Sequence, residues 1–131
     1  MTNQEIAAVL GRIGVYLDLK GENPFKVQAF DRAARVVERH PESLETLVAE
    51  NRLSGIKGVG ASIAEVIREL VRTGVSSALA ELKAGFPPGL EELLELSGLG
   101  PKRVRALWQK LGIASAGELE YACRENRLLA L

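Results

Sequence analysis

Gly55-Ile56-Lys57-Gly58-Val59-Gly60-Ala61-Ser62-Ile63-Ala64-Glu65-Val66-Ile67 is the stretch on which the reading of the whole chain turns. Two glycines stand two apart around a β-branched valine. An apolar run at helical spacing follows, with Ile63, Val66, Ile67 and Leu70 on one face. Forty positions later the pattern recurs: Leu96-Ser97-Gly98-Leu99-Gly100-Pro101 leads into Val104, Leu107, Trp108 and Leu111. Each copy reads as a tight hairpin feeding a helix N-terminus. Glycine permits the φ > 0 turn and lets another backbone come close. Gly60→Val is accordingly expected to block the turn. The first N–H groups of such a helix lack intrahelical partners and attract an anion, above all a phosphate. They belong to Gly58, Gly60 and Ala61 in the first copy. In the second they belong to Gly98, Gly100 and Lys102, since Pro101 carries none. One copy alone reads equally well as a plain connection whose glycines relieve crowding. Two copies with matched flanking helices favour a pair of helix-hairpin-helix units and make nucleic-acid backbone the leading ligand. A dinucleotide fingerprint would need a preceding strand and an acidic residue about twenty positions on; the sequence offers no convincing strand.

The chain around these units is 131 residues long, enough for one ordinary core or two small ones. Apolar residues make up 47% and formal net charge is zero. Any DNA contact must then use local patches and backbone amides rather than a global field. The single Cys123 excludes an intramolecular disulfide and a CxxC metal site, and reads as a small half-buried helix residue. His40, beside Pro41, reads as a helix-end residue. No apolar run approaches the roughly 18 residues that span a membrane, and the N-terminus is no signal peptide. A cytoplasmic monomer is expected.

Capping signals and apolar periodicity predict an all-α fold. Thr2 or Asn3 caps a first helix carrying Ile6, Val9, Leu10, Ile13, Tyr16 and Leu17, ended by Gly21. Asn23-Pro24 opens a second helix over 24–39, and a shorter helix covers 42–50. The first hairpin helix ends near 73–74, and another short helix covers 76–83. Gly85-Phe86-Pro87-Pro88-Gly89 breaks all periodicity and marks a joint. Two small helical subdomains are expected, 1–84 and 85–131, each with one helix-hairpin-helix motif. In the second, a helix over 90–96 precedes the hairpin, its helix runs to about 111, and Ser115 with Glu118 caps a last helix. The apolar end, 126–131, reads as a cut through a longer chain.

Basic residues sit beside the hairpins. Lys102, Arg103 and Arg105 open the helix after the second one, an arrangement that costs a little at a helix N-terminus without a phosphate partner. They read either as nucleic-acid backbone contacts or as a solvated basic face. Trp108 lies at core spacing and reads as packed. Lys26 and Arg35 are nine positions apart on one helix and point to opposite faces; Arg32 is also well off the Lys26 face. No carboxylate pair, metal-ligand cluster or nucleophile–His pair supports another enzyme class.

The two spaced hairpins, the order of helices, the joint and the stretch Asn23-Pro24-Phe25-Lys26-Val27-Gln28-Ala29-Phe30-Asp31-Arg32-Ala33-Ala34 together resemble the N-terminal part of family X DNA polymerases, the bacterial ones above all. The resemblance covers essentially the whole chain. It implies a repair role on gapped or nicked DNA, as in base excision repair and DNA replication, with the first half on the downstream side and the second gripping the primer side. The nucleotidyltransferase palm with its Mg2+ would lie beyond this chain. It also implies a 5′-phosphate pocket in which Lys26 matches a phosphate-binding lysine and Phe30 falls on a tyrosine. Ser62 and Val66 fall on two lysines, the second being the Schiff-base residue of a 5′-deoxyribose phosphate lyase. Valine has no amine for that chemistry. Lys57 could reach the pocket from the hairpin. The resemblance further implies a monovalent cation, Na+ or K+, on the carbonyls of Ser54, Ile56 and Val59 and, in the second unit, of Leu94, Leu96 and Leu99. Two rivals stay open at this stage: an active lyase, and a helical protein-interaction module whose hairpins only join helices.

Overall fold

In the computed structural model the described residues are 1–95, 99–113 and 115–124, and they are all-α. The helices are α1 (Asn3–Lys20), α2 (Pro24–Arg39), α3 (Leu44–Ala49), α4 (Ala61–Thr73), α5 (Ser77–Ala84), α6 (Gly89–Glu95), α7 (Pro101–Leu111) and α8 (Ala116–Arg124), with a 3-10 turn Leu53–Gly55 before the first hairpin. Readings that fall on Leu96, Ser97, Gly98 and residues 125–131, and on the Cys123 side chain, lie outside the described residues. No helix among the described residues is long and apolar enough to cross a membrane.

The helix ends form for local reasons. Thr2 closes a reciprocal capping box with Glu5 at the start of α1, which holds the Glu5 carboxyl below its ordinary value. Asn23 Oδ1 accepts the Phe25 N–H at 2.8 Å, and Pro24 follows at the first helical position. Ser76 caps α5 through the Leu79 N–H, and Ser115 caps α8 through the Glu118 N–H. Gly21, Gly74 and Gly112 end α1, α4 and α7 in the left-handed region. The third helix is shorter than the 42–50 expected, because its first N–H is satisfied from afar. Asn3 Oδ1 accepts from Leu44 N at 2.9 Å while Asn3 Nδ2 donates to the Glu42 carbonyl at 2.8 Å.

α1 is the central element and packs on α2, α5 and α7. Ile6, Leu10, Ile13, Tyr16 and Leu17 on α1 join Phe30, Ala33 and Val37 on α2, all buried. α2 lies close against Gly14, where an added Cβ would lie 2.9 Å from Asp31 Oδ1 and 3.5 Å from Phe30 Cβ. Ile63, Ala64, Ile67 and Leu70 of α4 close one end of the core; Leu90, Leu93, Val104, Leu107 and Ile113 form the other. The joint is itself packed. The Phe86 ring lies 5.6 Å from Tyr16 and 5.2 Å from Trp108, both tilted. Trp108, half-buried against the core, is the packing residue its spacing suggested.

Candidate nucleic-acid interface

The first hairpin assigns different work to its two glycines. Gly58 carries φ +97°, and a Cβ there would meet Val36 Cγ2 at 3.3 Å. Gly60 lies in the extended region, φ −78° and ψ 175°, with nothing within 4 Å of where its Cβ would be. The turn therefore depends on Gly58, and the expectation that Gly60→Val blocks it is corrected. Gly60 is instead the N-cap of α4. Gly100 repeats it as the N-cap of α7, with φ −80°, ψ 165° and the same open surroundings.

These two helices begin differently from α1, α2, α3, α5 and α8. Among the described residues α1, α2, α5 and α8 receive a side-chain oxygen from Thr2, Asn23, Ser76 and Ser115, and α3 receives one from Asn3. No side chain caps α4 or α7. The N–H groups of Gly58, Gly60 and Ala61, and those of Gly100 and Lys102, have no hydrogen-bond acceptor among the described residues. Each helix thus presents exposed donors and the positive end of its dipole. Lys57, Ala61 and Ser62 are exposed around the first set, and Lys102 and Arg103 beside the second. Gly98 lies outside the described residues.

Two arginines take places the charge pattern did not indicate. The aliphatic stem of Arg32, read as merely off the Lys26 face, runs under Gly58, its Cδ 3.9 Å from that glycine's Cβ position. Arg105 turns back from α7 onto the C-terminal cap of α1, its Nη2 2.7 Å from the Cβ position of Gly21. The free edge of α7 therefore carries Lys102 and Arg103 rather than all three cations.

A cavity of about 480 Å³ opens between α1, α2, α4 and α5. It brings together Lys26, Phe30, Ser62 and Val66, residues from two helices that the sequence reading had linked; Lys57 is not on its wall. Ile13, Leu17, Val66, Leu82 and Phe86 give it an apolar floor. Phe30 belongs to that floor and is 6% exposed, a packing residue rather than a free stacking face. Sequence reasoning missed Lys20, Glu22 and Glu81 on the rim. Lys20 Nζ stands 3.9 Å from Glu22 Oε2, so two cations and two anions share the mouth. Nothing local in the sequence marks Glu81, which arrives from α5.

The carbonyl set suggested for a cation is gathered only in part. Ser54 and Val59 line one cavity of about 310 Å³, with Gly60, Ala61 and Glu65. The Ile56 carbonyl accepts the Val59 N–H at 3.3 Å, leaving one lone pair. Arg68 lines the same cavity and is paired with Glu65, so that carboxylate is already neutralised and only the main-chain oxygens there suit a hard monovalent cation. In the second unit Leu94 lies in the last turn of α6 and Leu99 precedes Gly100, while Leu96 lies outside the described residues.

Comparison with known proteins adds two findings. Residues 1–76 match the family described as helix-hairpin-helix domain, and residues 90–131 match the SAM-like helix-hairpin-helix tandem. The chain is also similar to the DNA polymerase/3′-5′ exonuclease PolX of Bacillus subtilis (strain 168), at 37% identity over 131 residues. That similarity covers all of this chain and 22% of the relative, so the chain spans about a fifth of the relative's length.

Proposed function

The chain belongs to the helix-hairpin-helix domain family, and from that membership we propose that it is the DNA-gripping region of a family X DNA polymerase, seated at a gap or nick during repair. The observation that carries this is the matched pair of uncapped N-termini. Gly60 and Gly100 share one backbone conformation, stand in open space, and lead helices whose first N–H groups have no acceptor among the described residues. A phosphate oxygen is the acceptor such ends recruit. Backbone amides read charge and spacing but no base edge, so the binding is sequence-blind. Lys57 serves the first contact, and Lys102 and Arg103 the second.

The cavity between α1, α2, α4 and α5 receives the 5′ side of the break, with Lys26 on the phosphate and the apolar floor beneath the sugar. Its acidic rim limits phosphate affinity, so the hairpins supply most of the grip. The carbonyls of Ser54, Ile56 and Val59 would hold Na+ or K+, whose charge offsets that of an approaching phosphate.

The test is a titration of the 15N-labelled chain with a nicked duplex in dilute buffer. The amide signals of Gly58, Gly60, Ala61, Gly100 and Lys102 should shift together. The apparent log K should fall with log salt by roughly 0.9 for each phosphate contacted. Stationary amides would refute the proposal and favour a protein-interaction module.

A further inference from the structure

Three ties join α1 to the second half of the chain. Phe86, between the matched spans 1–76 and 90–131, is held between Tyr16 of α1 and Trp108 of α7. Glu91 of α6 accepts a charged hydrogen bond from Arg12 of α1 and pairs with Lys83 of α5 at 3.5 Å. Arg105 of α7 rests on Gly21 at the end of α1. Pro87 and Pro88 follow the wedged ring and restrict the backbone there. A linker that merely connected two binding units would have no reason to be clamped by aromatic rings on both sides.

We propose that Phe86 is a positioning residue: its clasp holds the two hairpins at one fixed spacing, and that spacing selects interrupted over continuous DNA. The inference rests on the reading of the hairpins as DNA contacts. Two sites on one rigid body can engage together only where the ligand matches their spacing. Continuous duplex is stiff, with a persistence length of about 50 nm, and resists bending to fit. A strand break lets the backbone hinge at little cost and satisfy both hairpins. A loosened clasp lets the protein flex instead, and the distinction between the two DNAs fades.

Phe86→Ala removes the wedge, Phe86→Leu keeps apolar volume without the ring, and Glu91→Gln breaks the exposed ionic tie. Trp108 is the sole tryptophan, so its emission reports directly whether the stack has opened. Circular dichroism confirms that the helices persist. Dissociation constants are measured at one salt concentration for a continuous duplex and for the same duplex with a one-nucleotide gap. The wild type should prefer the gap at least tenfold. Phe86→Ala should lower that preference at least fivefold; because Phe86 also floors the cavity, Glu91→Gln, which lies off that wall, decides the matter, and it should lower the preference at least twofold while affinity for the continuous duplex stays within twofold. An unchanged preference in a folded variant with altered Trp108 emission overturns the inference. So does wild-type binding without preference. Wild-type failure to bind either DNA overturns the function itself, a separate result. Should Phe86→Ala unfold, Glu91→Gln decides.

Discussion

Gly58 and Gly60 should respond oppositely to the same methyl group. At Gly58 an alanine must adopt φ near +97° and place its Cβ 3.3 Å from Val36 Cγ2. Backbone strain of that kind is worth about 1–3 kcal/mol. For a chain of this size each kcal/mol corresponds to roughly 4 °C in melting temperature, so a fall of about 4–12 °C is expected. At Gly60 the backbone is extended and a Cβ meets nothing within 4 Å, so Gly60→Ala should fold at least as well as wild type. The methyl would nevertheless stand where a phosphate must approach. A hydrogen bond to a charged group is worth about 1.5–3 kcal/mol, so loss of one amide contact should weaken binding about 10- to 150-fold. Gly100→Ala should copy Gly60→Ala, since its geometry is the same. Thermal melts by circular dichroism and fluorescence anisotropy on a nicked duplex measure both quantities. Gly60→Ala and Gly100→Ala proteins that bind like wild type would refute the reasoning, as would a Gly58→Ala protein that melts like wild type.

Phe30→Ala, in the floor shared by core and cavity, should lose about 3–5 kcal/mol in denaturant unfolding. Lys26→Ala should reduce the preference for a 5′-phosphorylated over an unphosphorylated gap, whereas Glu81→Gln should increase it by removing a rim anion; equal effects on both DNAs would remove the phosphate from that cavity. Burial, the largest single influence, pushes the Glu91 carboxyl up, but Arg12 and Lys83 together outweigh it and hold it below its ordinary value of 4.5. A carboxyl lowered in the folded state stabilises above its ordinary value and loses that contribution as pH falls through the folded one. Trp108 emission should therefore change on acidification below 4.5, and Glu91→Gln should flatten that change. Borohydride treatment with an incised abasic duplex should trap no adduct, because Val66 offers no amine; an adduct mapped to Lys20 or Lys26 would assign the lyase to this chain.

Helix limits were largely legible because their causes are local. Thr2, Asn23, Ser76, Gly21, Gly74 and Gly112 each act within a few residues of themselves. The start of α3 was not legible, because its cap comes from Asn3, forty-one positions away. Both hairpins were visible as glycine pairs, yet only the folded backbone shows that Gly58, seated against Val36 of another helix, carries the positive φ while Gly60 is extended. Lys26, Phe30, Ser62 and Val66 were joined through a family resemblance and do share a wall, whereas Lys20, Glu22 and Glu81 meet them only through packing. Arg105 belonged by pattern with Lys102 and Arg103, and only the docking of α7 on α1 explains why it faces Gly21. Phe86 reads in sequence as part of a breaker, since a contact of one ring with two distant rings leaves no periodic trace.

The Asn3 side chain has a consequence for the order in which this molecule assembles. It stitches the first turn of α1 to the backbone of Glu42 and Leu44, closing a loop of about forty residues, which by chain statistics alone opposes closure by about 3 kcal/mol. Folding α1 onto α2 first shortens that loop to a few flexible residues. Docking of α3, and of the hairpin that follows it, should then come late in refolding. A peptide cut to 41–76 keeps every residue of the first hairpin unit and loses the amide that starts it.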